Sequence, residues 1–420
     1  MIDIFAVIFG VILTFAIVIV IHELGHFFAA RMVGIKAEIF SVGFGKTLWS
    51  RKDRHGVMWQ VCRIPAGGYV RFVGDENAAS LSSVSDGPAI AGSLRAAPKW
   101  SQAFVAVAGP FANVVFTIVA LAILPLISGV TSYPWQIDRV TLEAETTSLQ
   151  SGDILLRLDG VDITSQDTLS AVLSRLPSDT DVAYQVTRDG SPRLIIGPRP
   201  DLPLIGTVAP GSPADQAGIM IGDLLISIDG APVNAWSDLQ ASVSGSNGDE
   251  LAIIYQRGDI TISAQIAPMQ NDGRWLLGVG ALPLFTLATE TPPIGEAFMT
   301  GVDRTWGLIT NLVTGLAGSL MGQNDSCDLD GPIAIATVAG QAIQLGPETF
   351  LLFLAVISLG LGILNLLPVP ILDGGHLLLL GFEGLTGRPL GKRMQAVLFI
   401  GGVTVIVFLM LTATINDLTC

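Results

Sequence analysis

Apolar residues are distributed along this chain in two regimes. Residues 4–21 carry no charged side chain, and comparable stretches recur within residues 100–137, between Glu348 and Asp373, and between Arg393 and Asp417. A helix rises ~1.5 Å per residue, so runs of about 20 apolar residues match the ~30 Å hydrocarbon core of a bilayer. The pattern predicts four transmembrane helices. Between the second and third of them the pattern becomes one of short alternating segments broken by Gly, Asp and Pro, which predicts small water-exposed α+β modules. A further uncharged run, residues 305–324, is long enough to span. Its four glycines and Asn311, and the need for an even number of crossings there if Asp373 is to meet the first helix, favour an interfacial helix instead.

The alternating region repeats itself. Gly152-Asp153-Ile154-Leu155 followed by Leu158-Asp159-Gly160 returns seventy residues later as Gly222-Asp223-Leu224-Leu225 followed by Ile228-Asp229-Gly230. Each copy continues with a helical stretch (167–176, 236–243) and an alternating strand (182–188, 251–257). The phrase Gly211-Ser212-Pro213-Ala214, with Ala217-Gly218, Gly222-Asp223 and Asp229-Gly230, resembles the bacterial PDZ signature, with Asp-Gly closing a hairpin. The first copy is shorter ahead of its Gly-Asp anchor. PDZ modules bind extended peptides by strand addition, so the resemblance implies peptide ligands, with passive spacers as the alternative.

His22-Glu23-Leu24-Gly25-His26 lies at the inner end of the first apolar run. Residues i and i+4 share one helical face, so His22 and His26 can offer two imidazole nitrogens to one Zn²⁺ while Glu23 serves as general base toward water. The alternative is a pair of buried, hydrogen-bonded histidines, but ionisable groups inside a spanning helix are costly enough to point to function. Two histidines leave room for a third protein ligand, and Asp373 is the candidate. It follows Pro368 and Pro370, which interrupt the third apolar run and free backbone groups at membrane depth. Such backbone is tolerated only where it is covered or lines a cavity. His376 reads as a supporting residue and His55 as a surface one.

Composition sharpens the class and orients it. Only 14% of the 420 residues are charged, far below a soluble domain, which marks an integral membrane protein. Net charge is −14, unevenly spread: residues 31–99 hold ten Lys/Arg against five Asp/Glu, and residues 129–345 hold nine against twenty-five. The positive-inside rule places the loops after the first and third helices in the cytoplasm, and the acidic modules and both termini outside. No nucleic-acid-binding surface is encoded. Cys62, Cys327 and Cys420 form no metal pattern, and a Cys327–Cys420 disulfide is geometrically open on this topology. The expected organisation is residues 1–33 as helix one with the metal motif, 34–99 as a cytoplasmic, membrane-associated β-hairpin region, and 100–132 as helix two. Residues 133–202 and 203–285 follow as the two PDZ-like modules and 286–347 as a membrane-associated helical region. Residues 348–386 and 387–420 are helices three and four.

Together the motif His22-Glu23-Leu24-Gly25-His26, Leu372-Asp373-Gly374, Gly109-Pro110 with Asn113, and Gly331-Pro332 resemble the site-2 protease family of intramembrane zinc metalloproteases over nearly the whole chain. The resemblance implies a polytopic helical fold, zinc on His22, His26 and Asp373, and Glu23 as catalytic base. It also implies that Asn365 helps hold the substrate backbone and that a hairpin around Gly67-Gly68-Tyr69 lines the substrate path. From the residues alone Asn113 either contacts substrate or hydrogen-bonds a neighbouring helix, and Asn365 either contacts substrate or caps backbone freed by Pro368. The implied substrate is a pre-trimmed single-span membrane protein of the anti-sigma-factor kind in envelope stress signalling, with remnant signal peptides as a further class. The competing function is a non-catalytic PDZ scaffold with a structural metal.

Overall fold

In the computed structural model the described residues are 4–74, 90–141, 148–176, 181–209, 211–271, 274–320, 331–388 and 390–419. Cys327 and Cys420, and with them the disulfide expectation, lie outside these. The chain divides into a unit formed by residues 128–291 and a second formed by residues 2–127 and 292–420.

The second unit begins with α1 (Ile4–Met32), whose uncharged sequence runs on until Arg31 in its last turn. Two long strands follow, β1 (Ala37–Lys52) and β2 (Met58–Phe72). They close at a turn where the Asp53 carboxylate accepts the backbone N–H groups of His55 and Val57 and the Trp59 indole N–H. The strands bend back on themselves, so Phe40, Ser41 and Val42 each have two neighbours. They pair with Val70, Tyr69 and Gly68 on one side and with Trp59, Gln60 and Val61 on the other. Residues 47–52 cover the far side of residues 58–62, which leaves residues 68–72 as an edge. Gly67, Gly68 and Tyr69 thus lie within a strand of the β1–β2 pair, Gly68 and Tyr69 in its edge segment and Gly67 just before it. The side chains of Phe27, Phe40 and Trp59 pack the sheet against α1.

Helix α2 (Lys99–Ser128) leads into the first unit. There β3 (Trp135–Val140), β4 (Ile154–Leu158), β5 (Val161–Asp162), α3 (Gln166–Leu173), β6 (Val182–Arg188) and β7 (Ser191–Gly197) form the first module. The second contains β8 (Ile205–Val208), α4 (Pro213–Gln216), β9 (Leu224–Ile228), β10 (Ala231–Pro232), α5 (Trp236–Gly245), β11 (Leu251–Arg257) and β12 (Ile260–Ile266), followed by β13 (Met269–Asn271), β14 (Arg274–Leu276) and β15 (Val279–Ala281). In both copies the Asp-Gly pair forms the two-residue hairpin loop, with positive φ at Asp159, Gly160, Asp229 and Gly230, the geometry of a type I′ turn. The aspartate of each Gly-Asp anchor is fully buried. Asp153 receives Arg188 at 2.7 Å and Asp223 receives Arg257 at 2.7 Å, and the same carboxylates accept the N–H groups of Gln150 and Met220. The anchor repeats because each buried carboxylate locks a turn to the end of a strand.

One expected boundary is corrected. Strand β16 (Phe285–Leu287), placed by sequence at the end of the second module and the start of a helical region, pairs instead with β3 and completes the first module's sheet, ordered β16-β3-β4-β6-β7. The second module is thus inserted within the first. Where the chain enters and leaves the unit, Val130 and Glu290 exchange both backbone hydrogen bonds at 2.9 Å.

The chain re-enters the second unit through α6 (Ile294–Leu320), an amphipathic helix, and α7 (Pro332–Leu345). Gly340 of α7 lets that helix lie directly on the backbone of α1 at Val7. Helix α8 (Pro347–Asn365) stops before Pro368, and a new helix, α9 (Asp373–Thr386), starts at Asp373, so residues 348–386 are two helices and not one. Helix α10 (Lys392–Thr419) closes the unit. Its Asp417 accepts the N–H groups of Gly331 and Ile333 at 2.7 and 2.8 Å, capping α7. Among the described residues four helices, α1, α2, α8 and α10, are long and apolar enough to cross a membrane.

Candidate metal centre

Spacing on α1 puts His22 and His26 on one buried face, and the break between α8 and α9 brings Asp373 to them. Glycines make that approach possible. Gly374 and Gly375 lie against the carbonyls of Leu366 and Val369, where any Cβ would collide, so the loop folds tightly over the start of α9. Gly109 of α2 abuts both imidazoles, and a Cβ there would run into His26 Nε2.

The three side chains converge closely. His22 Nε2 lies 3.1 Å from His26 Nε2 and 3.1 Å from Asp373 Oδ2, and His26 Nε2 lies 3.5 Å from Asp373 Oδ2. Among the described residues this is the group of His, Cys, Asp and Glu side chains able to share one ion. Donor atoms each ~2.0–2.2 Å from a tetrahedral zinc stand about 3.3 Å apart. The observed edges match that figure. Asp373 Oδ2 is buried and receives no aligned hydrogen bond from a described residue, as expected of an atom that faces a cation. The residues fit zinc.

The outer ring nitrogens are held by α2. His26 Nδ1 donates to the Val105 carbonyl at 2.7 Å, which leaves Nε2 free to ligate. Asn113 is fully buried with its amide 3.3 Å from His22 Nδ1, and its Oδ1 has no described partner. When His22 ligates through Nε2 its proton sits on Nδ1, so the amide serves it through Oδ1 after a half-turn that satisfies both groups. Glu23 accepts the Val70 backbone N–H from the edge segment of β2, and Gly68 lies beside the Glu23 and Ile19 side chains.

A family model, Peptidase family M50, matches residues 10–409. The chain belongs to this family. It is similar to the regulator of sigma E protease of Haemophilus influenzae (31% identity, 97% of each chain) and to the regulator of sigma-E protease RseP of Escherichia coli K12 (32%, 97% of each). Similar chains from Rhizobium meliloti and Mesorhizobium japonicum, both 30% identical, carry zinc metalloprotease names. Solved PDZ domains match locally. One is that of an SdrC-like protein from Listeria monocytogenes (24% identity, TM-score 0.18, 19% of this chain and 85% of that one), and another is the HtrA3 PDZ domain (22%, TM-score 0.15, 27% and 82%). At those scores they add no argument. As a member of family M50 the protein is a zinc metalloprotease, and its four apolar helices make it a membrane protein.

The other residues singled out by sequence fall in distinct places. Tyr69 stacks on Phe44 and its hydroxyl accepts the Gln60 amide at 3.0 Å, which stiffens the edge segment. Asn365 is half-buried as the last residue of α8. Asn113 stands behind His22 instead of on an open surface. His376 is buried near Asp373, with Nε2 lacking a described partner. Sequence reasoning passed over Val105, whose backbone carbonyl carries no residue-specific signal, and over the room that Gly109 leaves for the two imidazoles.

Proposed function

We propose that this M50 peptidase hydrolyses a peptide bond within or beside the transmembrane segment of a single-span protein. His22, His26 and Asp373 hold the zinc, and Glu23 is the base. Bound zinc supplies Lewis acidity for a peptide carbonyl and for water. Glu23 takes a proton from the attacking water and passes it to the leaving amine. Asn113 and the Val105 carbonyl fix the two imidazoles in the tautomers that keep Nε2 available. A helical substrate hides its carbonyls in its own hydrogen bonds, so it must be extended before attack. The outer edge of β2 at Gly68–Arg71, paired with no other described strand on that side, can pair with such an extended segment immediately beside Glu23. That adjacency of strand edge, carboxylate and ligand triad carries the reading, and Asn365, at the end of α8, is assigned to help hold the substrate backbone.

The PDZ-like modules and both termini face the periplasm of a bacterial inner membrane, with the active site toward the cytoplasmic side, on the charge asymmetry. The substrate is of the anti-sigma-factor kind, already trimmed outside the membrane, in envelope stress signalling, with remnant signal peptides as a further class. The modules bind peptide or exclude bulky ectodomains.

The test is cleavage of a single-span reporter by the purified protein. Glu23→Gln is expected to lower turnover by at least 10³-fold, on the order of a lost general base combined with lost water activation, while retaining one zinc per chain. Chelation abolishes turnover and added Zn²⁺ restores it. Wild-type protein with full zinc that cleaves none of several trimmed spans leaves the PDZ scaffold as the better account.

A further inference from the structure

Beyond the end of α1 the second unit holds a cavity of about 770 Å³ that no step of the proteolysis uses. Among the described residues its lining carries Arg31, Lys36, Lys52 and Arg71 and one carboxylate, Glu38, and His55 stands at the same wall. Four permanent cations drawn from α1, the loop behind it and both strands line one space, three of them (Arg31, Lys36 and Lys52) exposed, and their summed field there favours an anion. Glu38 does not neutralise the set. It pairs with Arg71 Nη2 at 3.2 Å, yet Arg71 Nε remains buried without a described acceptor. Lys36 is held in place, its N–H bonded to the Gly92 carbonyl and its carbonyl accepting the Val73 N–H, both at 2.9 Å.

The remainder of the wall is apolar. Phe27 and Ile35 are buried, Ile39 and Met58 half-buried. The cavity therefore combines a cationic rim with an oily floor. It opens where the first apolar helix meets its first cation after residue 3, Arg31. On the same sheet Leu48 and Trp49 stand exposed (67% and 54%), as side chains in contact with a bilayer do.

We propose that this cavity binds a phosphate-bearing anion, its charge held by Arg31, Lys36, Lys52 and Arg71, and that the apolar floor selects the headgroup and glycerol of an anionic phospholipid over free phosphate. A guanidinium such as Arg71 can give a phosphate two parallel N–H bonds, and lysines add point charge. The site is separate from the metal centre and does not depend on the proteolytic reading.

The test uses the full chain, purified in a neutral detergent, titrated with short-chain phosphatidylglycerol, with phosphatidylcholine of equal chain length, and with inorganic phosphate. Bound ligand is counted by native mass spectrometry. One phosphatidylglycerol is expected to bind saturably, at least tenfold more tightly than phosphatidylcholine. Lys36→Gln with Lys52→Gln should weaken it at least tenfold, and Arg388→Gln, the same kind of charge change in an exposed loop, should not. Millimolar inorganic phosphate that displaces the lipid completely would make soluble phosphate the occupant and overturn the selectivity assigned to the floor. Equal binding of the two lipids, or unchanged binding in the double variant, would overturn the site. Zinc content and melting temperature of each variant show that it is folded, and Lys36→Arg with Lys52→Arg should restore binding.

Discussion

Asn113 shows how much of the candidate metal centre is built behind the three side chains that face one another. Its side chain is fully buried against His22, and its backbone carbonyl accepts the hydroxyls of Thr117 and Ser358 at 2.9 and 3.3 Å, so α8 is keyed to α2 at the point where α2 supports His22. Loss of an outer hydrogen bond of this kind costs 10–100-fold in metal affinity. Asn113→Leu should therefore weaken zinc binding by about that factor, read by competition with a chromophoric chelator, with KM for a trimmed reporter unchanged at saturating zinc. A raised KM with zinc affinity intact would instead make Asn113 a substrate contact. Gly109 acts by absence of a side chain: α2 can lie against the two imidazoles only because nothing projects from it there.

At the scale of elements, the edge of β2 and the capped start of α7 each carry a test. A valine at Gly68 would meet the Ser41 carbonyl and crowd Glu23. Gly67→Val with Gly68→Val should slow reporter cleavage at least tenfold while zinc stays at one per chain, and unchanged turnover would remove the edge from the mechanism. Asp417→Ala uncaps α7 and should cost ~1–2 kcal/mol of stability, the usual worth of such a cap, measured as a lower unfolding midpoint in denaturant. Much at this scale was legible in the sequence. The strands over 182–188 and 251–257 form as the alternation requires, because each buries one face in its module. The broken third span was legible from Pro368 and Pro370. What was not legible depends on partners distant in sequence. Nothing in Phe285-Thr286-Leu287 says that its partner is β3, and nothing in β1 says that it will bend to give Phe40 and Ser41 two neighbours each. His22, Glu23 and His26 could be singled out as candidates because their spacing along one helix is chemistry in itself. The Val105 carbonyl could not, because every residue has one.

For the whole molecule, residues 128–291 form a unit whose two ends are tied by the paired bonds of Val130 and Glu290. Excision between those residues, with a short Gly-Ser join, therefore leaves ends that were already neighbours. Under the gating reading the excised protein should cleave untrimmed substrates that the full chain rejects, assayed with paired long and short reporters. Strict dependence on trimming in the excised protein would remove the modules from substrate selection. The insertion of one module inside the other also sets a timetable. Strand β3 must wait for β16, about 145 residues further along (Val140 to Phe285), which at ~5–20 residues per second of synthesis is a delay on the order of ten seconds. The module that begins later closes earlier, and through that interval the first lies open with an unpaired edge, the state in which a nascent chain is most exposed to wrong partners. Order of birth and order of completion run opposite ways in this protein.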